Sequence, residues 1–211
     1  MKTNKILINN YLDELFPDPK CELNYSSDYE LLIAIMLSAQ TTDKRVNQVT
    51  NILFNKYNSL EEISNANIKD LEKILLSLGS FRKKSIYTKD IAYILHNYYN
   101  DKVPVDREVL ESLPGVGRKT VNVFLSEFYN MPCIAVDTHV ERVSKRLYLA
   151  FLNDDVSTVE RKLMKAFPKE TWAKRHLQLV LFGRYKCKAV KPLCDDCKFK
   201  DICRYKKNHG N

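Results

Sequence analysis

The sequence predicts an all-α protein of about ten helices joined by short loops. Three observations carry that prediction: apolar residues recur at helical spacing nearly everywhere, helix-start signatures precede several such stretches, and no segment alternates as a half-buried strand would. The 211 residues, 45% of them hydrophobic, suffice for one large domain or two small ones sharing a core. A disordered chain is not expected.

In chain order, MKTNKILINNYLDELF lacks the apolar core and small-residue cleavage site of a signal peptide. The longest strongly apolar run, Leu31 to Leu37, is far too short to span a bilayer, so a soluble, cytoplasmic protein is expected. Leu71, Ile74, Leu75 and Leu78 make one helical face, and Gly79 is placed to take the left-handed position that ends it. Tyr87, Ile91, Ile94, Leu95 and Tyr98 make the next face. Asp106 can cap a short helix, Arg107 to Ser112, and the turn LPGVG then delivers the chain into a second helix starting near Arg118. Thr138 with Glu141 and Ser157 with Glu160 read as capping boxes, hydroxyl and carboxylate each satisfying an orphan amide. Composition changes sharply only after Gly183: Arg184 to Lys207 holds nine basic and three acidic residues around four cysteines.

Thirty-four Lys plus Arg against 26 Asp plus Glu give a net charge of +8 and a pI near 9.1. That balance favours a polyanionic partner through phosphate contacts and counterion release, although charge alone is weak evidence. The turn LPGVG sharpens it. Gly115 and Gly117 lack side chains, so their amides can approach a phosphate at the positive end of the following helix, with Leu113 and Val116 packed beneath. An ordinary helix–helix corner would look the same up to this point.

Lys119 makes the stretch more specific. In a first helical turn beside Arg118, the macrodipole, the like charge and any burial all favour its neutral amine, the form that attacks carbon and builds a Schiff base. A solvated phosphate-binding lysine is the alternative. Eighteen residues on, VDTH places Asp137 just outside a helix that Thr138 would cap, with its carboxylate free to take a proton or stabilise positive charge at a sugar carbon. An aspartate at a helix start also serves simply as a cap. His139 is given no catalytic role.

Cys187, Cys194, Cys197 and Cys203 have six, two and five residues between them, and four thiolates so close can surround one metal centre. Thiolate count does not decide between zinc and an iron–sulfur cluster. Lys188 and Lys191 in the first loop could face phosphates. Cys21 and Cys133 stand apart and are read as small buried hydrophobes.

Together, LPGVGRKT, VDTH, the cysteine spacing and LLIAIMLSAQTTD resemble the bacterial endonuclease III family of helix-hairpin-helix DNA glycosylases, from about residue 20 to about 205. The resemblance implies two all-helical lobes with the DNA site in the cleft between them. One is a six-helix barrel domain over 22–131, its helix-hairpin-helix at about 107–128. The other joins 1–21 to 132–211 and carries a [4Fe-4S] cluster on the loop 187–203. It implies a base excision repair enzyme that removes oxidised pyrimidines from duplex DNA and nicks the backbone 3′ to the abasic site by β-elimination. Lys119 matches its Schiff-base nucleophile and Asp137 its catalytic aspartate. Gly115, Val116, Gly117 and Arg118 match the hairpin that holds DNA, and Gln40 matches a residue that enters the gap left in the duplex.

A monomer at the bacterial nucleoid is expected. Adenine glycosylases that act opposite oxidised guanine share knot and hairpin but lack the lysine. A binding module without catalysis is the rival of another class. One departure stands out: where the family carries a bulky apolar wedge after Gly79, this chain has Ser80, so either Phe81 or Arg82 takes the task with a shifted loop or extrusion is less efficient, and Phe81 reads equally as a core residue.

Overall fold

A computed structural model describes residues 2–209. Twelve α-helices and no strand occur among the described residues, in line with the all-α prediction. The chain divides into two compact units, Glu22–Tyr129 and the segments on either side of it.

Within Glu22–Tyr129 lie α2 (Asp28–Leu37), α3 (Asp43–Lys56), α4 (Leu60–Asn65), α5 (Ile68–Leu75), α6 (Phe81–Tyr99), α7 (Arg107–Ser112) and α8 (Arg118–Tyr129). The apolar run predicted to be too short for a membrane is the centre of this unit: every residue from Leu31 to Leu37 is buried. Burying a leucine or isoleucine contributes about 1.5–3 kcal/mol, so α2 anchors the unit. No helix among the described residues is long and apolar enough to cross a membrane. Buried Asp28 accepts from the Val103 amide at 2.9 Å, tying the loop before α7 to the start of α2.

Two sequence expectations change here. Leu71, Leu75 and Leu78 are buried as expected, but the left-handed residue after them is Ser80 (φ 57°), not Gly79. On α6, Ile91 and Leu95 are buried while Tyr98 is 69% exposed, because the last turn runs past the core.

The other unit holds α1 (Lys2–Leu15), α9 (Thr138–Arg146), α10 (Val156–Ala166), α11 (Trp172–Leu181) and α12 (Arg204–His209). A π-helical turn, Phe182–Lys186, continues α11. Its core gathers Ile8, Leu12, Val140, Val143 and Leu163 with the rings of Tyr11, Phe182 and Phe199, whose edge contacts span 4.9–6.3 Å. Arg175, buried on α11, forms a two-pronged pair with Asp13 of α1 at 2.9 and 2.8 Å. That pairing holds the Asp13 carboxyl well below the usual carboxylate range.

Neither expected capping box forms. Asp137 caps α9 and Asp155 caps α10, so Thr138 and Ser157 already lie inside their helices. An aspartate one or two places earlier starts each helix sooner, accepting from the His139 and Val140 amides at α9 and from the Thr158 amide at α10.

Candidate functional site

The glycine turn forms as the sequence predicts. Asp106 Oδ1 accepts from the Val109 amide at 3.0 Å and starts α7, and α8 begins at Arg118. Leu113 and Val116 are buried at 3% and 4% exposure. Across the turn, Arg107 of α7 donates to Asn122 Oδ1 of α8 at 2.8 Å, locking the two helices.

The two glycines have different reasons to be glycine. Gly115 is left-handed (φ 74°), and a Cβ there would stand 2.5 Å from the Tyr87 ring. Gly117 has no positive φ and nothing within 4 Å of its would-be Cβ. Protein packing accounts for the first and not for the second, whose bare surface is open to an approaching group. Both are exposed, as are Arg118 and Lys119. The first turn of α8 contains no acidic residue. Because Lys119 is exposed, the burial expected around its amine is not supplied by the protein.

Gln40 follows α2 in a left-handed conformation (φ 57°) that costs a residue with a Cβ about 1–3 kcal/mol. It lines a pocket with Thr41, Thr42, Arg45, Ser77 and Gly79. Ser80, directly after Gly79 and at the same φ as Gln40, is exposed, and the Arg82 guanidinium lies 5.2 Å from the centre of the half-buried Phe81 ring.

On the flanking unit, Asp137 is half-buried, and its Oδ1 accepts from the His139 and Val140 amides at 2.9 and 2.8 Å. Its carboxylate is therefore fixed rather than free outside the helix. Both bonds land on Oδ1, so the cap does not consume Oδ2. His139 Nδ1 faces Arg142 Nη2 at 3.2 Å.

Cys187, Cys194, Cys197 and Cys203 all line one apolar pocket, with Leu147, Phe182, Pro192 and Phe199 among its other walls. Among the described residues, no three His, Cys, Asp or Glu side chains are grouped so as to hold a single ion. Thiols set around a cavity fit a polynuclear group with separate attachment points. Burial pushes the Cys187 and Cys197 thiols up, while Arg146 works against it at Cys187. Cys133 is buried as expected, whereas Cys21 is half-buried.

Sequence reading missed what holds this loop. Arg142 donates to Cys187 O at 3.1 Å and to Gly183 O at 2.7 Å. Arg146 donates to Cys187 Sγ at 3.2 Å, Lys188 O at 2.8 Å and Ala189 O at 3.3 Å. Their spacing of four along α9 was the available signal, since it puts both on one face. Braced from beneath, the loop presents Lys188 and Lys191 exposed to solvent.

A glycine hairpin leading into a lysine and a pocket lined by four cysteines are the features on which the resemblance to helix-hairpin-helix DNA repair proteins rests, and the comparison with known proteins places the chain in that class. Residues 33–169 match the family model described as HhH-GPD superfamily base excision DNA repair protein, and the chain belongs to that family. It is 44% identical over 193 residues to endonuclease III of Bacillus subtilis (strain 168), covering 92% of this chain and 88% of that one. It is 41% identical over 205 residues to endonuclease III of Escherichia coli (strain K12), covering 97% of both. A solved structure of a trapped endonuclease III–DNA covalent intermediate superposes with a TM-score of 0.92 at 44% identity, over 97% of both chains.

Proposed function

We propose that Lys119 and Asp137 carry the chemistry of a base excision repair DNA glycosylase with abasic-site lyase activity, the activity that the family and its endonuclease III relatives support for this chain. The observation behind the role of Lys119 is its place: exposed, in the first turn of α8, directly behind the glycine turn.

The substrate is duplex DNA bearing an oxidised pyrimidine or an abasic site. A lesion that pairs or stacks poorly costs least to extrude, which brings its sugar C1′ within reach. Gly115, Val116, Gly117 and Arg118 hold the backbone, with Lys188 and Lys191 as further phosphate contacts, and Gln40 enters the gap left behind. Water exclusion around Lys119 comes from the bound DNA, since the protein leaves it exposed.

The neutral amine attacks C1′, the N–C1′ bond forms, the glycosidic bond breaks, and the base leaves with a proton. Asp137 answers for that proton and for cationic charge on the sugar, its unconsumed Oδ2 being the available acceptor. The nitrogen lone pair then opens the sugar ring: the C1′–O4′ bond breaks, O4′ takes a proton, and the resulting imine acidifies the C2′ proton. Loss of that proton expels the 3′ phosphate by β-elimination, and water then frees Lys119.

Cys187, Cys194, Cys197 and Cys203 would hold a [4Fe-4S] cluster in their pocket. When bound, such a cluster supplies a covalent tie among the four thiolates, and the chain's own part is to keep Lys188 and Lys191 presented. We place the protein at the bacterial nucleoid as a monomer.

Borohydride should trap a covalent adduct between the protein and abasic duplex DNA, and Lys119→Ala should lower adduct formation by at least about 10⁴-fold. An undiminished adduct in Lys119→Ala would overturn the assignment of the nucleophile. DNA binding without any adduct in the unmodified protein would leave a binding module. For the pocket, the purified protein should be brown and contain about four irons; a colourless protein with one zinc would overturn the cluster.

A further inference from the structure

Lys84 is a buried cation with no part in the chemistry above. It stands in the first turn of α6, only 5% exposed, and its Nζ donates to Leu37 O at 2.9 Å and Ala39 O at 2.8 Å. Burial holds its pKa below that of an ordinary lysine, and no carboxylate is bonded to it. Such a site is costly to maintain unless the carbonyls it satisfies matter.

The first of those carbonyls belongs to the end of α2, where four have no partner further along the helix. Ala34 O and Ile35 O accept from the Ser38 amide, and Met36 O from the Ala39 amide. Leu37 O accepts from Lys84. The second acceptor, Ala39 O, lies beyond the helix, in the peptide unit that leads into Gln40. Fixing that carbonyl fixes the peptide plane from which Gln40 departs at its left-handed φ of 57°. Lys84 is also tied to the neighbouring turn, because its amide donates to Ser80 O at 3.1 Å and Ser80 is the second left-handed residue. Gln40 and Gly79, one from each turn, line the same pocket. One buried residue thus touches both left-handed turns at that pocket, the first through its ammonium and the second through its backbone amide.

We propose that Lys84 is a positioning residue for Gln40: its ammonium holds the turn Ser38–Gln40 in the conformation that projects Gln40, and so acts on base extrusion and not on bond breaking. This rests on the reading of Gln40 as the residue that enters the duplex gap. Plain capping of α2 would need only Leu37 O; the bond to Ala39 O is what a positioning role requires.

A double-mutant cycle on the full-length protein separates the two. Single-turnover excision of a 5,6-saturated pyrimidine from duplex DNA is measured for Gln40→Ala, Lys84→Met and both together. Trapping on abasic single-stranded DNA, where no base leaves a duplex, serves as the reference. Lys84→Met should slow duplex excision by roughly tenfold or more, leave trapping within about twofold, and add less than about twofold in the Gln40→Ala background. Losses that multiply, an unchanged excision rate, or an equal loss in trapping would each overturn the inference. Should Lys84→Met fold poorly, Lys84→Arg retains charge and donors but displaces them, and its loss must likewise vanish beside Gln40→Ala. If Gln40→Ala alone excises normally, the reading of Gln40 falls and the inference falls with it; multiplying losses overturn the inference alone.

Discussion

The starts of α8 and α9 face the same problem, since every helix begins with amides that lack a partner within it. At α9 the chain answers internally: the Asp137 carboxylate accepts two of those amides and brings a negative charge to the positive end. At α8 the charges are reversed. Arg118 and Lys119 occupy the first turn, no acid is present there, and a glycine stands on its threshold with nothing near its would-be Cβ. One helix start is capped by an acid of the protein itself; the other, in the function proposed above, is where the DNA backbone docks.

Substitutions at the two starts should therefore fail in different ways. The largest effect is expected at Asp137. Asp137→Asn retains a good cap while removing the charge, so single-turnover excision should fall about 10²–10⁴-fold with little change in unfolding midpoint. Asp137→Ala should lose similar activity. Excision by Asp137→Asn near the original rate would reduce Asp137 to a cap.

A smaller effect is expected at the glycines. Gly115→Ala must fit a Cβ 2.5 Å from the Tyr87 ring at a φ of 74°, so it should lower stability by about 1–3 kcal/mol in denaturant titration. Gly117→Ala has the room, so its stability should stay within about 0.5 kcal/mol while DNA affinity drops. Unchanged affinity in Gly117→Ala would remove that position from the phosphate contact. The smallest effect is the cap itself: Asp137→Ala should be about 1 kcal/mol less stable than Asp137→Asn by the same titration.

Most of the hairpin was legible because its signals are local. The Asp106 cap, the bounds of α7 and the start of α8 all follow from residues within a few positions of one another. Cap choice failed where two acceptors competed at adjacent positions, as with Asp137 and Thr138. The left-handed residue was assigned to Gly79 on intrinsic preference, but Ser80 takes it, since conformational preference ranks residues without seeing what a turn must connect. Lys84 was invisible for another reason: its acceptors lie 45 and 47 residues away, and nothing in KKSIYT announces them. The same holds for the grip of Arg142 and Arg146 on the cysteine loop, 41–45 residues distant.

The π-helical turn at Phe182–Lys186 has a consequence for how that loop is aimed. A π-helical turn accommodates one more residue than the α-helix it interrupts, and one residue of an α-helix corresponds to about 100° of rotation. Everything from Cys187 onward leaves α11 with its phase set by that added residue, while Gly183 at its start passes so near His139 that a Cβ would sit 2.7 Å away. The segment thus behaves like an indexing notch, a fixed angular offset between a regular helix and the loop it must present.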